Sequence, residues 1–357
     1  MQLRDDARWS LLVPTSMGVR LTPESVEPVH LATRYTLQVT SAETNVATIP
    51  ACLGEPALVL TTFVAGSPIA ALIKASLRER GLAYLGRERP QGGPWGYRHQ
   101  FNIADQGFGH RAPRVWNDRA GEAGLTLSAA DFDLDDIFGR QGVKILHLSG
   151  LVAALSPLTS EFCVALARAA HRHGTVVSLD LNYRASFWAG REDELRGAFA
   201  EIAGLADILV GNEEDFQLAL GIPGPAAGGE GLDAHIESFK AMITAIRAAY
   251  PGAQVIATTL REVISASRHR WGMVVYGDGA FHVAEPREIE VLDRIGGGDG
   301  SVGGLLYGLL KGWGAGRAMQ FGWATGALAV ASATDYVRPA DEEQVWSVWH
   351  GNARVQR

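Results

Sequence analysis

KILHLSGLVAALSPLTSEFCVALARAAHRHGTVVSLDLN, from Lys144 to Asn182, decides the architecture. It opens as an apolar strand (Lys144–Gly150), passes through a helical pattern (Pro157–His173), stops at Gly174 and returns directly to a strand (Val176–Asn182). A strand, a helix and a strand at this spacing form a βαβ unit with its two strands parallel in one sheet. Continuous apolar runs such as ILHL (Ile145–Leu148) and, further on, ILVG (Ile208–Gly211) suit a sheet covered on both faces. The rhythm extends outward. Leu58–Val64 precedes a helical Pro68–Arg80, and Ala206–Asn212 opens onto Glu213–Gly221 and a helix around Ile236–Ala249. Val255–Leu260 leads to a hairpin, Trp271–Glu285, with Gly277-Asp278-Gly279 at its turn. The expectation is an α/β fold with a mainly parallel central sheet and helices on both faces.

Two segments break the rhythm: Val29–Thr40 and Tyr97–Phe108 alternate apolar and polar residues with no helix between strand and strand. They predict a small β lid, with excursions over roughly residues 28–41 and 95–118 of a single domain spanning 1–357. A lid excludes water from a site; an ordinary surface hairpin explains the pattern equally well.

Composition narrows the chemistry. The chain has 357 residues and a net charge of −7, which excludes the broad basic footprint of a nucleic-acid binder. Only four lysines occur (Lys74, Lys144, Lys240, Lys311), so anion recognition must rest on arginine or on backbone amides. Cys52 and Cys163 lie far apart among apolar residues, so no disulfide is expected and a reducing, cytoplasmic location fits. MQLRDDARWS is acidic and lacks an apolar core, so no signal peptide is expected at the N-terminus. Ala318–Thr334 is uncharged but short and diluted by polar and small residues, which makes it a buried helix rather than a membrane span.

Glycine is in excess, 42 of 357 residues, where about 7% is usual. Its most informative cluster lies in EIEVLDRIGGGDGSVGGLLYGLLKG, Glu288 to Gly312. There Gly296-Gly297-Gly298 and Asp299 lead into an apolar helical run. A glycine turn at a helix start presents backbone N–H groups at the positive end of the helix dipole, an anion site phosphate can approach closely. Asp299, in the same place, could accept a proton from a hydroxyl attacking a phosphoryl group held by those amides. Asp is also a favoured cap and Gly a common turn residue, so this motif alone leaves a purely structural reading open. Gly298 to Gly303 also fits the dinucleotide pattern G-x-G-x-x-G, but no acidic residue follows at the required distance.

DRIGGGDG (Asp293–Gly300) resembles the C-terminal signature of the ribokinase-like, PfkB-type carbohydrate kinases. SLDLNYRASFW (Ser178–Trp188), LVGNEEDFQLALG (Leu209–Gly221), TTLREVISAS (Thr258–Ser267) and DRAGEAG (Asp118–Gly124) narrow the resemblance to the 2-keto-3-deoxygluconate kinases. SAETNVA (Ser41–Ala47) and PADEEQVW (Pro339–Trp346) continue it. The resemblance implies an ATP- and Mg²⁺-dependent kinase that phosphorylates the terminal 6-hydroxyl of 2-keto-3-deoxygluconate or a similar keto-deoxy sugar acid.

Carried over position by position, it implies that Asp299 is the general base and that Gly296, Gly297 and Gly298 supply the anion hole. Asn212 and Asp215, the latter where the family usually has Glu, would organise Mg²⁺ near the nucleotide. Asn182, Thr259 and Arg261 would face the nucleotide, though the glycines common around Thr259 and Arg261 are missing. Arg119, Ser41, Asn45, Arg184 and Asp335 would face the sugar acid, with Arg119 binding its carboxylate. Thr40-Ser41 stands where Gly-Gly is common and Asn117 where Tyr is common, and both departures bear on which acid fits. Trp95 and Trp116 are candidates for stacking on a sugar face, whereas His147, inside an apolar strand, reads as a core histidine. Lid strands pair between subunits in such folds, so a homodimer is expected. Two rivals stay open: a kinase for a neutral sugar such as fructose or ribose, and a non-catalytic sugar-binding regulator.

Overall fold

The structure, a computed structural model, describes residues 1–226 and 231–353. The strands are β1 (Trp9–Pro14), β2 (Gly18–Pro23), β3 (Tyr35–Thr40), β4 (Ala57–Val64), β5 (Ala83–Arg89), β6 (Gln100–Asp105) and β7 (Arg114–Asp118). After them come β8 (Val143–Ser149), β9 (Val176–Asp180), β10 (Ile208–Val210), β11 (Val255–Ser265), β12 (Arg268–Gly277) and β13 (Ala280–Glu290). Nine form one sheet in the order β13-β12-β11-β10-β9-β8-β1-β4-β5. Its pairings are parallel from β11 through β5, while β11, β12 and β13 run antiparallel.

Alternation along each strand sends successive residues to opposite faces, and both faces are apolar here. Leu12, Leu146 and Leu209 pack into one core with Phe162, Leu166, Phe199 and Ile243 of helices Pro157–Arg172, Glu192–Leu205 and Leu232–Ala249. Leu11, Val13, Ile145 and Ile208 pack into a second core with Ile73, Leu305 and Phe321 of helices Pro68–Glu79, Gly297–Leu310 and Ala315–Val330. The last of these holds most of the uncharged span Ala318–Thr334 singled out in the sequence; among the described residues no helix is long and apolar enough to cross a membrane.

Glycine has a packing use that the sequence reading did not anticipate. Helices Gly297–Leu310 and Ala315–Val330 approach so closely that a Cβ on Gly304 would lie 2.0 Å from Thr325 Oγ1. A Cβ on Gly308 would similarly lie 2.7 Å from Ala318. The Thr325 hydroxyl also donates across this contact to the Gly300 carbonyl at 2.8 Å.

The expected hairpin turn is present, with Asp278 at φ 53° and Gly279 at φ 78°, the left-handed pair that a tight two-residue turn needs. Both its strands run longer than the apolar pattern suggested. The second sheet, ordered β3-β2-β6-β7, differs from expectation in composition. Residues 29–34 stay outside it, and Gly18–Pro23, read as nothing in particular, is one of its two central strands. GVRLTP hides its strand character because five of its six residues are buried, polar and apolar alike, so no alternation shows.

Candidate active site

In an open α/β sheet, loops at the carboxyl ends of the strands form the crevice where the chain changes direction across the sheet. Here the chain moves from β1 to β4 and β5, then returns on the other side of β1 through β8, β9, β10 and β11. At that end lies a cleft of about 1170 Å³, room for two ligands of ordinary size. Among its lining residues are Ser16 past β1, Asn182 and Arg184 past β9, Asn212 past β10, and Thr259 and Arg261 on β11. The second sheet adds Arg20, Thr40, Gln100, Asn102 and Asn117. Of the residues singled out in the sequence, Gly296, Gly298, Asp299, Arg119, Ser41, Asn45, Arg184, Asp335, Asn182, Asn212, Thr259, Arg261 and Asp215 all line this cleft.

The three consecutive glycines have three different reasons to be glycine. Gly296 is the cap of helix Gly297–Leu310, at φ +87°, and a Cβ there would meet the Asp335 carbonyl at 1.8 Å. Gly297 turns away from the cleft, and its Cβ would lie 2.6 Å from Val330. Only Gly298 lines the cleft with open space where a Cβ would be. No side chain caps this helix, and its first i→i−4 bond is Gly300 N–H to the Gly296 carbonyl at 2.8 Å. The amides of Gly297, Gly298 and Asp299 are thereby left for a ligand, as an anion site requires.

Asp299, in the first turn, is partly exposed to the cleft. Asn45 Nδ2 donates to its Oδ2 at 2.8 Å and also lies 3.4 Å from Asp335 Oδ2. The Thr40 hydroxyl donates to that same Asp335 oxygen. Desolvation pushes the Asp299 carboxyl up to about 7; the Asn45 hydrogen bond opposes the shift, and the negative neighbours Asp335 and Glu43 add to it. Asp180 is raised as well, by burial and by Asp215 and Asp299. Glu43, 1% exposed, is raised by burial although the Thr15 hydroxyl donates to it at 2.6 Å.

Arg119 lines the cleft but is not free: its Nη1 donates to both carboxylate oxygens of the buried Glu122, at 3.1 and 3.0 Å. Its Nε is buried and has no partner among the described residues. Ser41 caps helix Ala42–Cys52, its hydroxyl accepting the Thr44 N–H at 3.1 Å. Asn182 holds a left-handed backbone at φ 38°, unusual for a residue with a side chain and a mark of functional sites.

Asp215 is held through both carboxylate oxygens. Its Oδ2 accepts the Asn212 N–H at 2.9 Å and its Oδ1 the Tyr183 N–H at 2.9 Å, while Asn212 Oδ1 accepts the Asp215 N–H at 2.8 Å. It is the carboxylate of a capping box that also pins the loop after β9. Among the described residues no group of three or more His, Cys, Asp or Glu is arranged to hold a metal. The two tryptophans are misplaced for stacking on a sugar. Trp95 is 98% exposed and Trp116, 43% exposed, sits against Arg114; neither lines the cleft. His147 is a core residue, its Nδ1 3.0 Å from Ser178 Oγ and its imidazole pushed down to about 3 by burial.

Sequence reasoning missed Arg20, Glu43, Asp180 and Arg294. Arg294 stands two residues before Gly296 in the quoted motif, so its place was visible there. It is close enough to Arg261 that burial, with Arg294 next, pushes the Arg261 guanidinium down to about 10. Burial, with Arg184 next, in turn lowers Arg294. Glu43 lies within Ser41–Ala47, the segment from which only Ser41 and Asn45 were singled out.

Several buried atoms at the cleft lack partners among the described residues: acceptors Glu43 Oε1, Asn45 Oδ1, Gln100 Oε1, Asn102 Oδ1 and Asp335 Oδ1, and donors on Arg20 and Arg119. Orphaned buried polar atoms call for a ligand or water, and a polyhydroxylated molecule offers the matching donors and acceptors. On the other part of the cleft, the free amides of the glycine turn with Arg184, Arg261 and Arg294 suit a polyphosphate.

The pfkB family carbohydrate kinase model matches residues 140–340. The chain is 27% identical over 341 residues to a 2-dehydro-3-deoxygalactonokinase of Haloferax volcanii, covering 95% of this chain and 96% of that one. It is 28% identical over 214 residues to a 5-dehydro-2-deoxygluconokinase of Clostridium perfringens, covering 60% of this chain and 56% of that one. The match thus spans little more than half the length of the latter relative. Among solved structures, a 2-dehydro-3-deoxygluconokinase from Thermotoga maritima superposes with a TM-score of 0.85 at 26% identity, covering 96% of this chain and 98% of that one.

Proposed function

Because the chain belongs to the pfkB family of carbohydrate kinases and has their ribokinase-like fold, we propose that it transfers the γ-phosphoryl group of ATP to the terminal 6-hydroxyl of 2-keto-3-deoxygluconate or a similar keto-deoxy sugar acid. The observation that carries the proposal is the position of Asp299. A carboxyl raised to about 7 stands beside three uncommitted helix amides, with its Oδ2 held by Asn45.

A carboxylate of ordinary acidity is a feeble base towards an alcohol, and matching the pKa to neutral pH makes proton transfer more effective. Asp299 Oδ1 takes the hydroxyl proton, while the amides of Gly297, Gly298 and Asp299 stabilise charge on the migrating group. Arg184 and Arg261, with Asn182, Asn212 and Thr259, would hold the nucleotide; Mg²⁺, when bound, screens its phosphates. Asp215 keeps the Asn212 turn and the loop after β9 in place. On the acceptor side, the buried oxygens of Asn45, Asp335 and Glu43 receive sugar hydroxyls. Arg119, aligned by Glu122, offers its remaining N–H groups to the carboxylate.

One feature favours the neutral-sugar reading: Glu122 already compensates the charge of Arg119. ADP release across keto-deoxy sugar acids, fructose and ribose separates the readings. Preference for a keto-deoxy acid supports the proposal, whereas preference for fructose or ribose overturns its substrate class. Release with none of them favours a sugar-binding regulator.

A further inference from the structure

Two parts of the site, Asp299 and the glycine turn, are each tied to the second sheet by a buried carboxylate. At the end of β3, Thr40 donates to Asp335, which shares the Asn45 amide with Asp299. On β2, Arg20 Nη2 donates to Asp293 Oδ2, while Asp293 Oδ1 accepts the N–H of Ile295, the residue before Gly296, at 3.0 Å. Gln106, just past β6, reaches the same Asp293 Oδ2 at 3.4 Å. Asp293 therefore joins two strand segments of the second sheet to the start of the glycine turn.

The Arg20–Asp293 pair is sealed from solvent, at 2% and 0% side-chain exposure. A pair so deeply buried gains little net stability, because desolvation offsets most of the attraction, and what it supplies is a fixed geometry. The rest of the guanidinium is uncommitted. Arg20 Nε and Nη1 are buried without a partner among the described residues, and Arg20 lines the cleft. In register it stands opposite Asn102 on β6 and Gln38 on β3, whose side-chain oxygens are likewise buried and unpartnered. One edge of Arg20 holds the turn, and the other is left for whatever lies under the sheet.

We propose that Arg20 is a positioning residue for phosphoryl transfer: it holds the glycine turn in register through Asp293 and couples that register to the second sheet over the acceptor. The proposal rests on the kinase reading. Amides that stabilise a transition state must be placed to within about 0.5 Å, so a loosened turn loses turnover before it loses ground-state nucleotide binding.

Arg20→Ala leaves Asp293 buried and unpaired and can simply unfold the chain, so the informative variants are Arg20→Lys and the double change Arg20→Met with Asp293→Asn. The first keeps the charge without the planar fork, and the second removes both charges together. Three readouts apply: kcat with the best acceptor, KM for the nucleotide, and hydrogen exchange of the bonded Ile295 and Gly300 amides without acceptor. For Arg20→Lys the expected result is a kcat lower by about 10–100-fold, a nucleotide KM within about twofold of the parent, and faster exchange confined to the bonded amides of the turn, Ile295 and Gly300. The double variant is expected to lose kcat at least as severely.

Unchanged kcat in both variants overturns the proposal, as does a loss of kcat with exchange accelerated evenly along the chain. The exchange readout needs no acceptor. Unaltered protection of the Ile295 and Gly300 amides therefore overturns the role of Arg20 whatever the substrate, whereas altered protection alongside no turnover with any sugar acid supports it and counts against the substrate reading alone.

Discussion

Two sets of side chains share the cleft with Asp299, and they are built differently. Arg184, Arg261 and Arg294 hang from the loop after β9, from β11 and from the approach to the glycine turn, and none forms an ion pair among the described residues. Glu43 and Asp335 are each 1% exposed and held by hydroxyls from Thr15 and Thr40. The arginines crowd one another's charge, with carboxylates near but none in ion-pair contact among the described residues, which suits a phosphate ligand. The carboxylates are negative charges already fixed in the protein, where they hinder ionisation of a third, Asp299. In the proposed function, a phosphate site beside an acid-lined one divides the cleft between donor and acceptor.

The largest expected effect comes from removing the group where the two sets meet. Asp299→Asn is expected to lower kcat by about 10²–10⁴-fold with substrate binding largely intact, measured by steady-state ADP release with both KM values. Near-normal turnover would remove the base from the account. Next comes the acceptor's charge anchor. Arg119→Gln, which keeps a donor for Glu122, is expected to raise KM for a sugar acid by about 10–100-fold, the loss of one charge-assisted bond. KM for a neutral sugar should hardly move. The smallest effect tests the carboxylate set itself. Asp335→Asn removes a negative charge that raises Asp299, so the midpoint of the rising limb of the pH–rate profile should fall, by about half a unit to one unit. A midpoint unmoved or raised would show that Asp335 does not act on the base by charge.

The central sheet was legible because its strands are continuously apolar and its helices carry a regular stripe, a signal set by burial alone. The second sheet was only half legible: β2 is polar and buried at once, and Arg20 looks like a surface residue until Asp293 is seen beside it. The glycine turn and Asp299 could be located from local sequence, since a helix start is a local structure. The roles of the individual glycines could not, because Gly297 answers to Val330 and Gly296 to Asp335, both distant in sequence. Asp215 shows the same limit. Its spacing from Asn212 was plain, but only the fold brings the Tyr183 amide to its second oxygen.

The central claim is that Asp299 accepts the acceptor's proton with an acidity set by burial and by its acidic neighbours. The pH dependence of kcat/KM for the preferred acceptor tests it most directly, because this ratio reports ionisation of the free enzyme. A base works deprotonated, so activity should rise with pH through a midpoint near 7, the value to which Asp299 is raised. A rising limb near 4, where an unperturbed carboxylate titrates, or a flat profile from mildly acidic to mildly basic pH would contradict it.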